Sequence, residues 1–300
     1  MKKMYGNKWA AFLFMLPAII LFTAVVFAPI CYCGYLSLCK IKFAKAPEFV
    51  ALDNYAKIFK AGTSYNELFM TALKNTIFFM VFSVITQLIV GMTYAVLLTN
   101  IRRGRNLFKN VIYLPCVLSS SALGLLFCFL LKPQLGLNQL LALVGITGPA
   151  WLSAYEGFIP LPMWVIGFVA LWQYVGQNMM LYMAQIMGIG RDLYEASYVD
   201  GASKPQAFLH ITMPLVKPMI VTAMSLNCIG SLKFFDLVYN MTQGGPTHVT
   251  ENLATLIYYY GIQISDKSGI ASAMSMILLA ICLLTTLLVN KVIRVENYEM

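Results

Sequence analysis

The chain has 300 residues, of which 60% are hydrophobic and 11% charged, and its mean hydropathy is +0.74. A water-soluble domain carries about 25% charged and about 45–50% apolar residues, so the composition excludes an ordinary soluble enzyme, a disordered chain and a nucleic-acid binder. The net charge of +9 reads instead as loop charge on a membrane protein whose basic residues favour one side.

Uncharged stretches run over Trp9–Cys39, Asn75–Ile101, Asn110–Leu131, Gly157–Gly190 and Ser268–Asn290. Each exceeds the ~20 residues that an α-helix needs to cross ~30 Å of hydrocarbon. A shorter stretch, Pro218–Leu232, is extended past Lys233 and Asp236 by Phe234, Phe235, Leu237 and Val238. The pattern predicts an all-α polytopic chain with six spans, at 10–36, 74–98, 108–131, 162–187, 217–239 and 269–290. The runs are too long for barrel strands and do not alternate. Residues 1–70 then comprise a tail, the first span and an outer loop; 71–290 form the main transmembrane domain; 291–300 are a second tail. The segment Pro133–Tyr155 is rich in Gly, Pro and amides and suits a loop with a short interfacial helix. Ser64 and Glu67 are placed to cap the helix leading into span two. Leu253, Leu256, Ile257 and Tyr260 form a helical stripe suited to an interfacial or re-entrant helix.

With the N-terminus inside, twelve Lys and Arg fall on inner segments and eight on outer ones. Both ends are therefore expected to be cytoplasmic, and the lysine-rich segment 40–74 is the exception to the trend. Lys2-Lys3 and the long apolar run after it read as a retained first span, because no small-residue cleavage site follows. The seven cysteines fall mostly inside spans without CxxC spacing, which suits small buried hydrophobes better than a disulfide framework or a metal site. No P-loop, HExxH or GxSxG string occurs, and His210 and His248 fall in different loops on opposite sides. No catalytic group, cofactor or metal is expected.

The inner segment between spans four and five carries most of the information. Asp192 with Glu195, and Ser203 with Gln206, have capping-box spacing. Gly201 separates the two short helices they start, and Pro205 sits in the permitted first turn of the second. The plain reading is a well-capped connector. The functional reading is a slim knob, kept narrow by Ala196, Gly201 and Ala202, that enters a groove on a soluble partner.

Glu195-Ala196-Ser197-x-x-Asp200-Gly201-Ala202, followed by Phe208, Ile211-Thr212 and Pro214, resembles the EAA loop of the integral membrane subunits of bacterial ABC importers. Ser197 and Met213 depart from the usual Ala and Leu without adding bulk. Phe49 to Tyr55, Asn75-Thr76, Arg103-Gly104-Arg105, Gly136-x-Asn138 and Trp151-Leu152 extend the resemblance over nearly the whole chain. The string Phe235-Asp236-x-x-Tyr239-x-x-Thr242-x-Gly244-Gly245-Pro246 is similar to the exit of span five in maltose- and glycerol-3-phosphate-type permeases. The resemblance implies the type I permease fold, with residues 190–214 as a coupling helix held in a cleft of a separate ATPase chain. It also implies the partners: a dimer of ATPase subunits, a second homologous permease, an external solute-binding protein and membrane lipid around the spans. The implied cargo is a di- or oligosaccharide, or a related polyol or sugar phosphate, moved by alternating access through a bacterial cytoplasmic membrane.

Polar groups within spans are candidates for the sugar path, because lipid-facing ones are costly. Span four offers Trp172, Tyr174, Gln177 and Asn178, and span five Asn227, Ser231 and Phe234. Amides match sugar hydroxyls and aromatic rings offer apolar faces; helix–helix hydrogen bonding explains the same residues equally well. Lys233 and Asp236 are spaced to pair on one helical turn. The rival readings are a permease for another small solute and a secondary transporter. The latter would want a mid-span acid and an inverted repeat.

Overall fold

The structure, a computed structural model, describes residues 8–42, 45–101, 103–154, 156–245 and 247–292. Lys2, Lys3, Arg102, Pro246, Arg294 and the end of the 291–300 tail lie outside the described residues.

The described chain is almost wholly helical. α1 (Lys8–Phe22) passes through a π turn at Thr23–Phe27 into α2 (Ala28–Ser37). The amide of Ala28 bonds to the carbonyl of Thr23, five residues back. Pro29 follows at once; its ring would strike the carbonyl four residues before it, and widening the turn relieves that clash. A two-residue antiparallel ladder, β1 (Cys39–Lys40) with β2 (Glu48–Phe49), is the one departure from all-helical structure among the described residues. α3 (Asp53–Phe59) follows, then α4 (Ser64–Asn100), a helix of 37 residues. Its cap is Thr63, whose Oγ1 accepts the amide of Asn66, so the expected Ser64 cap is displaced by one residue.

Span three is not straight. α5 (Arg105–Val117) and α6 (Ser120–Leu130) meet at 92°, because Leu118 and Ser119 are extended. The carbonyl of Leu118, released by the bend, accepts a bond from Gln173 Nε2 at 3.3 Å, as a backbone group at membrane depth requires. α7 (Leu137–Leu143) is the short helix expected within 133–155. α8 (Leu161–Gly188) leads to α9 (Arg191–Val199) and α10 (Lys204–Ala207). A second π turn, Phe208–Thr212, joins α10 to α11 (Met213–Leu232), and again a proline, Pro214, follows the residue whose amide reaches five back. The second helix of the elbow therefore runs on into span five. That span breaks at 233–235 before α12 (Asp236–Thr242). Lys233 is the first residue of the break and Asp236 the first of α12, so the two do not share one helical turn. α13 (Leu253–Tyr258) and α14 (Ser268–Val292) complete the described chain, and Leu253, Leu256 and Tyr260 of the expected stripe are buried in packing.

Of the six expected spans, Ala11–Ser37, Ser64–Asn100, Lys204–Thr242 and Ser268–Val289 are long and apolar enough to cross a membrane, and the bent pair α5–α6 adds a fifth. α8 has the length but is diluted by Gln173, Gln177, Asn178 and Gln185. Phe14, Leu21 and Val25 are 89%, 65% and 69% exposed; a continuous apolar helix face of this kind fits a lipid surface and not water.

The described chain falls into two units: the residues up to Glu67 with Ile257–Leu279, and Leu68–Leu256 with Ala280 onward. In the first, Asn54 donates to the carbonyls of Ser37 and Cys39 and fixes the end of α2. The second holds every expected site residue. Its apolar core has one cluster around Phe79, Met163, Ile166 and Leu237, and another around Ala95, Met179, Tyr182 and Val216.

Candidate functional site

α4, α8 and α11 enclose a cavity of about 190 Å³. Each helix contributes one face at helical spacing. α4 supplies Phe79, Ser83 and Gln87, α8 supplies Ala170, Tyr174 and Gln177, and α11 supplies Asn227, Gly230 and Ser231. Phe234, in the break after α11, stacks on Phe79 with ring centres 4.5 Å apart and meets Tyr174 edge-on at 6.2 Å. The Tyr174 hydroxyl is held by Ser120 Oγ at 2.8 Å, and Ser120 also accepts from Gln173 at 3.0 Å.

Behind this wall lies a chain of three amides. Asn178, buried, donates to Gln87 Oε1 at 2.6 Å, and Asn178 and Asn227 bond to each other. The expected residues Tyr174, Gln177, Asn227, Ser231 and Phe234 thus come together. Asn178 positions its neighbours from behind. Trp172 does not belong: it points from the helix face opposite Tyr174 and packs edge-on against Phe127 at 5.7 Å, 41% exposed. Sequence reasoning missed Ser83 and Gln87, although their four-residue spacing inside an uncharged run was a visible signal.

The elbow between α8 and α11 ends its first helix with a Schellman motif. Gly201 has φ +82°, its amide bonds to Tyr198 O at 3.1 Å, and the Ala202 amide reaches Ser197 O at 2.9 Å. Ser203 and Gln206 form their capping box. The Asp192–Glu195 box does not form; Gly190 occupies the cap position without a side-chain bond. No residue of α9 is buried. Glu195, Ala196, Asp200 and Gly201 are exposed, Ser197 and Ala202 half-exposed. Leu193, Tyr198 and Val199 add exposed apolar surface, at 50%, 48% and 88%.

The loop after α12 is tied down by polar contacts. Asn75 Nδ2 donates to the carbonyls of Val249 and Glu251, both at 2.8 Å, and Thr76 Oγ1 accepts the Leu253 amide at 2.9 Å. The Glu251 carboxylate, 3% exposed, accepts from Thr255 and meets His248 Nδ1 at 3.1 Å. Burial pushes the Glu251 carboxyl above its usual range, and the bonds from Thr255 and His248 oppose that rise. The carboxylate fills the space that Gly244, at φ +75°, leaves by having no Cβ. Among the described residues, no group of three or more His, Cys, Asp or Glu is arranged to hold a metal ion.

Residues 87–294 match the family of binding-protein-dependent transport system inner membrane components. The chain belongs to that family. It is a multi-pass membrane protein and a transport component. Among its relatives is the probable ABC transporter permease protein YurN of Bacillus subtilis (strain 168), 34% identical, with 98% of this chain and 99% of that protein covered. Another is the lactose transport system permease protein LacF of Rhizobium radiobacter, 31% identical over 93% of this chain and 91% of that one. A crystal structure of a bacterial alginate ABC transporter in complex with an alginate pentasaccharide-bound periplasmic protein contains a chain with TM-score 0.81. That chain is 24% identical, with 95% of this chain and 94% of that one covered; the likeness is one of fold. In this inner membrane component, the cavity and the elbow lie in the same helical unit.

Proposed function

We propose that this chain is the permease subunit of an ATP-driven importer that moves a sugar across the cytoplasmic membrane by alternating access. The observation that carries the reading is the elbow: a nine-residue helix with no buried residue, closed at its C-terminal end by the Schellman bonds, placed between two spans. A well-ordered helix with so much exposed apolar surface fits a groove on a partner, and a separate ATPase supplies one. Residues Glu195, Ala196, Ser197, Asp200, Gly201 and Ala202 form the part that docks. Closure of the ATPase dimer pulls the elbow. Because α10 runs on into α11, that pull reaches the cavity through a continuous helix. This is a two-state element biased from both ends.

The cavity suits a neutral polyhydroxyl solute. Gln177, Asn227, Gln87 and Ser231 offer donors and acceptors, and Tyr174, Phe79 and Phe234 offer ring faces; the lactose transport relative supports the same cargo class. The remaining partners are a second homologous permease, which completes the path, and an external solute-binding protein that delivers the sugar. Both termini lie on the cytoplasmic side. A secondary transporter would need an ionisable group within the bundle; Asp236, the acid at the break of span five, is exposed.

The test is reconstitution. The chain, its ATPase, the second permease and the binding protein are placed in liposomes and offered labelled lactose and a panel of oligosaccharides. ATP-dependent accumulation of at least one sugar is expected. ATP-dependent accumulation of amino acids alone would replace the cargo, and uptake driven by an ion gradient without ATP would overturn the reading.

A further inference from the structure

A larger cavity, about 620 Å³, lies under the elbow, between α9 and α10 on one side and the ends of α4, α5 and α8 on the other. Arg105, Arg191 and Lys204 line it together with Tyr194, Tyr198 and Thr212, and among the described residues no acidic side chain does. The acids of this region sit elsewhere. On α9, Arg191, Tyr194 and Tyr198 recur at the spacing of one helix face and line the cavity, whereas Asp192, Glu195 and Asp200 line none of it. The basic side chains of the elbow thus border the cavity while its acidic ones stand clear of it.

Three cations around one cavity repel one another, and that repulsion falls when an anion enters. Arg105 is fixed for the purpose: Nε donates to Ile101 O at 3.0 Å and one terminal nitrogen to Thr99 O at 2.9 Å, leaving the rest of its fork available. The Tyr194 hydroxyl is oriented by Thr212 Oγ1 at 2.8 Å. A rigid guanidinium with further cations and hydroxyls matches the several oxygens of a phosphate better than a single carboxylate. The volume falls within the ~300–1,000 Å³ of small-molecule sites, more than a bare ion needs. We propose that this cavity binds a phosphate-bearing ligand, either a compact soluble phosphate compound or the headgroup of an anionic phospholipid. The site is separate from the sugar cavity and does not depend on what the chain transports.

The test uses the full-length chain in its native assembly, in nanodiscs. In phosphatidylcholine alone, radiolabelled inorganic pyrophosphate is titrated by equilibrium dialysis. In phosphatidylcholine with phosphatidylglycerol, retained lipid is counted by native mass spectrometry. Binding of at least one probe at one per permease chain is expected, and Arg191→Gln with Lys204→Gln should weaken that binding at least tenfold. Only the part of the signal lost in the variant is assigned to this cavity. Pyrophosphate binding assigns a soluble ligand; phosphatidylglycerol retention without pyrophosphate binding assigns the lipid. Should the double variant fail to insert, Lys204→Gln alone, at an exposed position, is expected to weaken binding at least threefold. Absence of both probes, or binding unchanged in the variants, would overturn the proposal.

Discussion

Asn178 on α8 and Asn227 on α11 exchange a reciprocal pair of side-chain hydrogen bonds, each Nδ2 donating to the other's Oδ1, at 3.3 and 3.2 Å. The pair joins two spans directly behind the small cavity, and Gln87 ties in a third. Gln177, one residue before Asn178, faces the cavity instead. Of two neighbouring amides on one helix, one therefore packs between spans and the other faces the cavity.

This division separates two substitutions. Asn178→Leu leaves Gln87 and Asn227 short of partners and is expected to lower stability by about 0.6–2 kcal/mol, the range of single interhelical hydrogen bonds in membranes, seen as a lower melting temperature in detergent. Gln177→Leu is expected to leave melting unchanged and reduce sugar uptake several-fold. Normal uptake in Gln177→Leu would make the cavity a packing feature.

Gly244 carries a second expectation. A Cβ there would lie 2.1 Å from Glu251 Oε1, and that carboxylate is held by Thr255 and His248 and cannot swing aside freely. Gly244→Ala also places a side chain at positive φ, at about 1–2 kcal/mol. The variant is expected to melt lower than wild type. Unchanged melting would show that the loop repacks.

The same contact gives a pH dependence. The folded state raises the Glu251 carboxyl above its ordinary value of 4.5, first through burial. The folded state therefore prefers the protonated form. This contribution to stability is fully present below pH 4.5 and is lost as pH rises through the raised value. Glu251→Gln, which keeps the shape without the charge, is expected to remove the loss. Melting curves of both proteins from pH 4 to 8 should diverge upward of 4.5, with wild type falling relative to the variant; parallel curves would contradict this.

Topology is checked by single cysteines in a background without the native ones. Arg103 and His210 are expected to label from the cytoplasm and Thr247 from outside. Asn54 is buried at 3% exposed, so exposed Leu52 is the better reporter of the first outer loop. Outside labelling at His210 would remove the elbow from the ATPase's side.

Much of the elbow was legible because its signals are local. Gly201 and the Ser203–Gln206 pair each fix a few consecutive dihedrals, and the structure places them as expected. The Asp192–Glu195 pair had the same spacing, but the extended residue before α9 is Gly190, so the cap falls two residues earlier. The cavity was half legible. Residues of spans four and five were in view, but Ser83 and Gln87 enter only through packing against α8, which spacing within one span cannot show. Trp172 failed for a simpler reason: two residues from Tyr174, it lies about 200° around the helix. The 92° bend at Leu118 was hidden because uncharged residues continue through it, and a tertiary bond from Gln173, far off in sequence, satisfies its freed carbonyl.

The central claim is that the outer face of the elbow is a docking surface for a separate ATPase. Val199, 88% exposed, can become Asp without a backbone penalty. At Gly201 a Cβ meets nothing within 4 Å inside the chain, so Gly201→Asp costs its own fold only the positive φ. The direct measurement is co-purification of the ATPase with wild type, Val199→Asp and Gly201→Asp, alongside sugar uptake in the same cells. The account expects both variants to insert at wild-type levels, to retain far less ATPase or hydrolyse ATP without uptake, and to transport at least tenfold less sugar. Full ATPase retention with normal uptake in both variants would contradict it and leave residues 190–214 a connector.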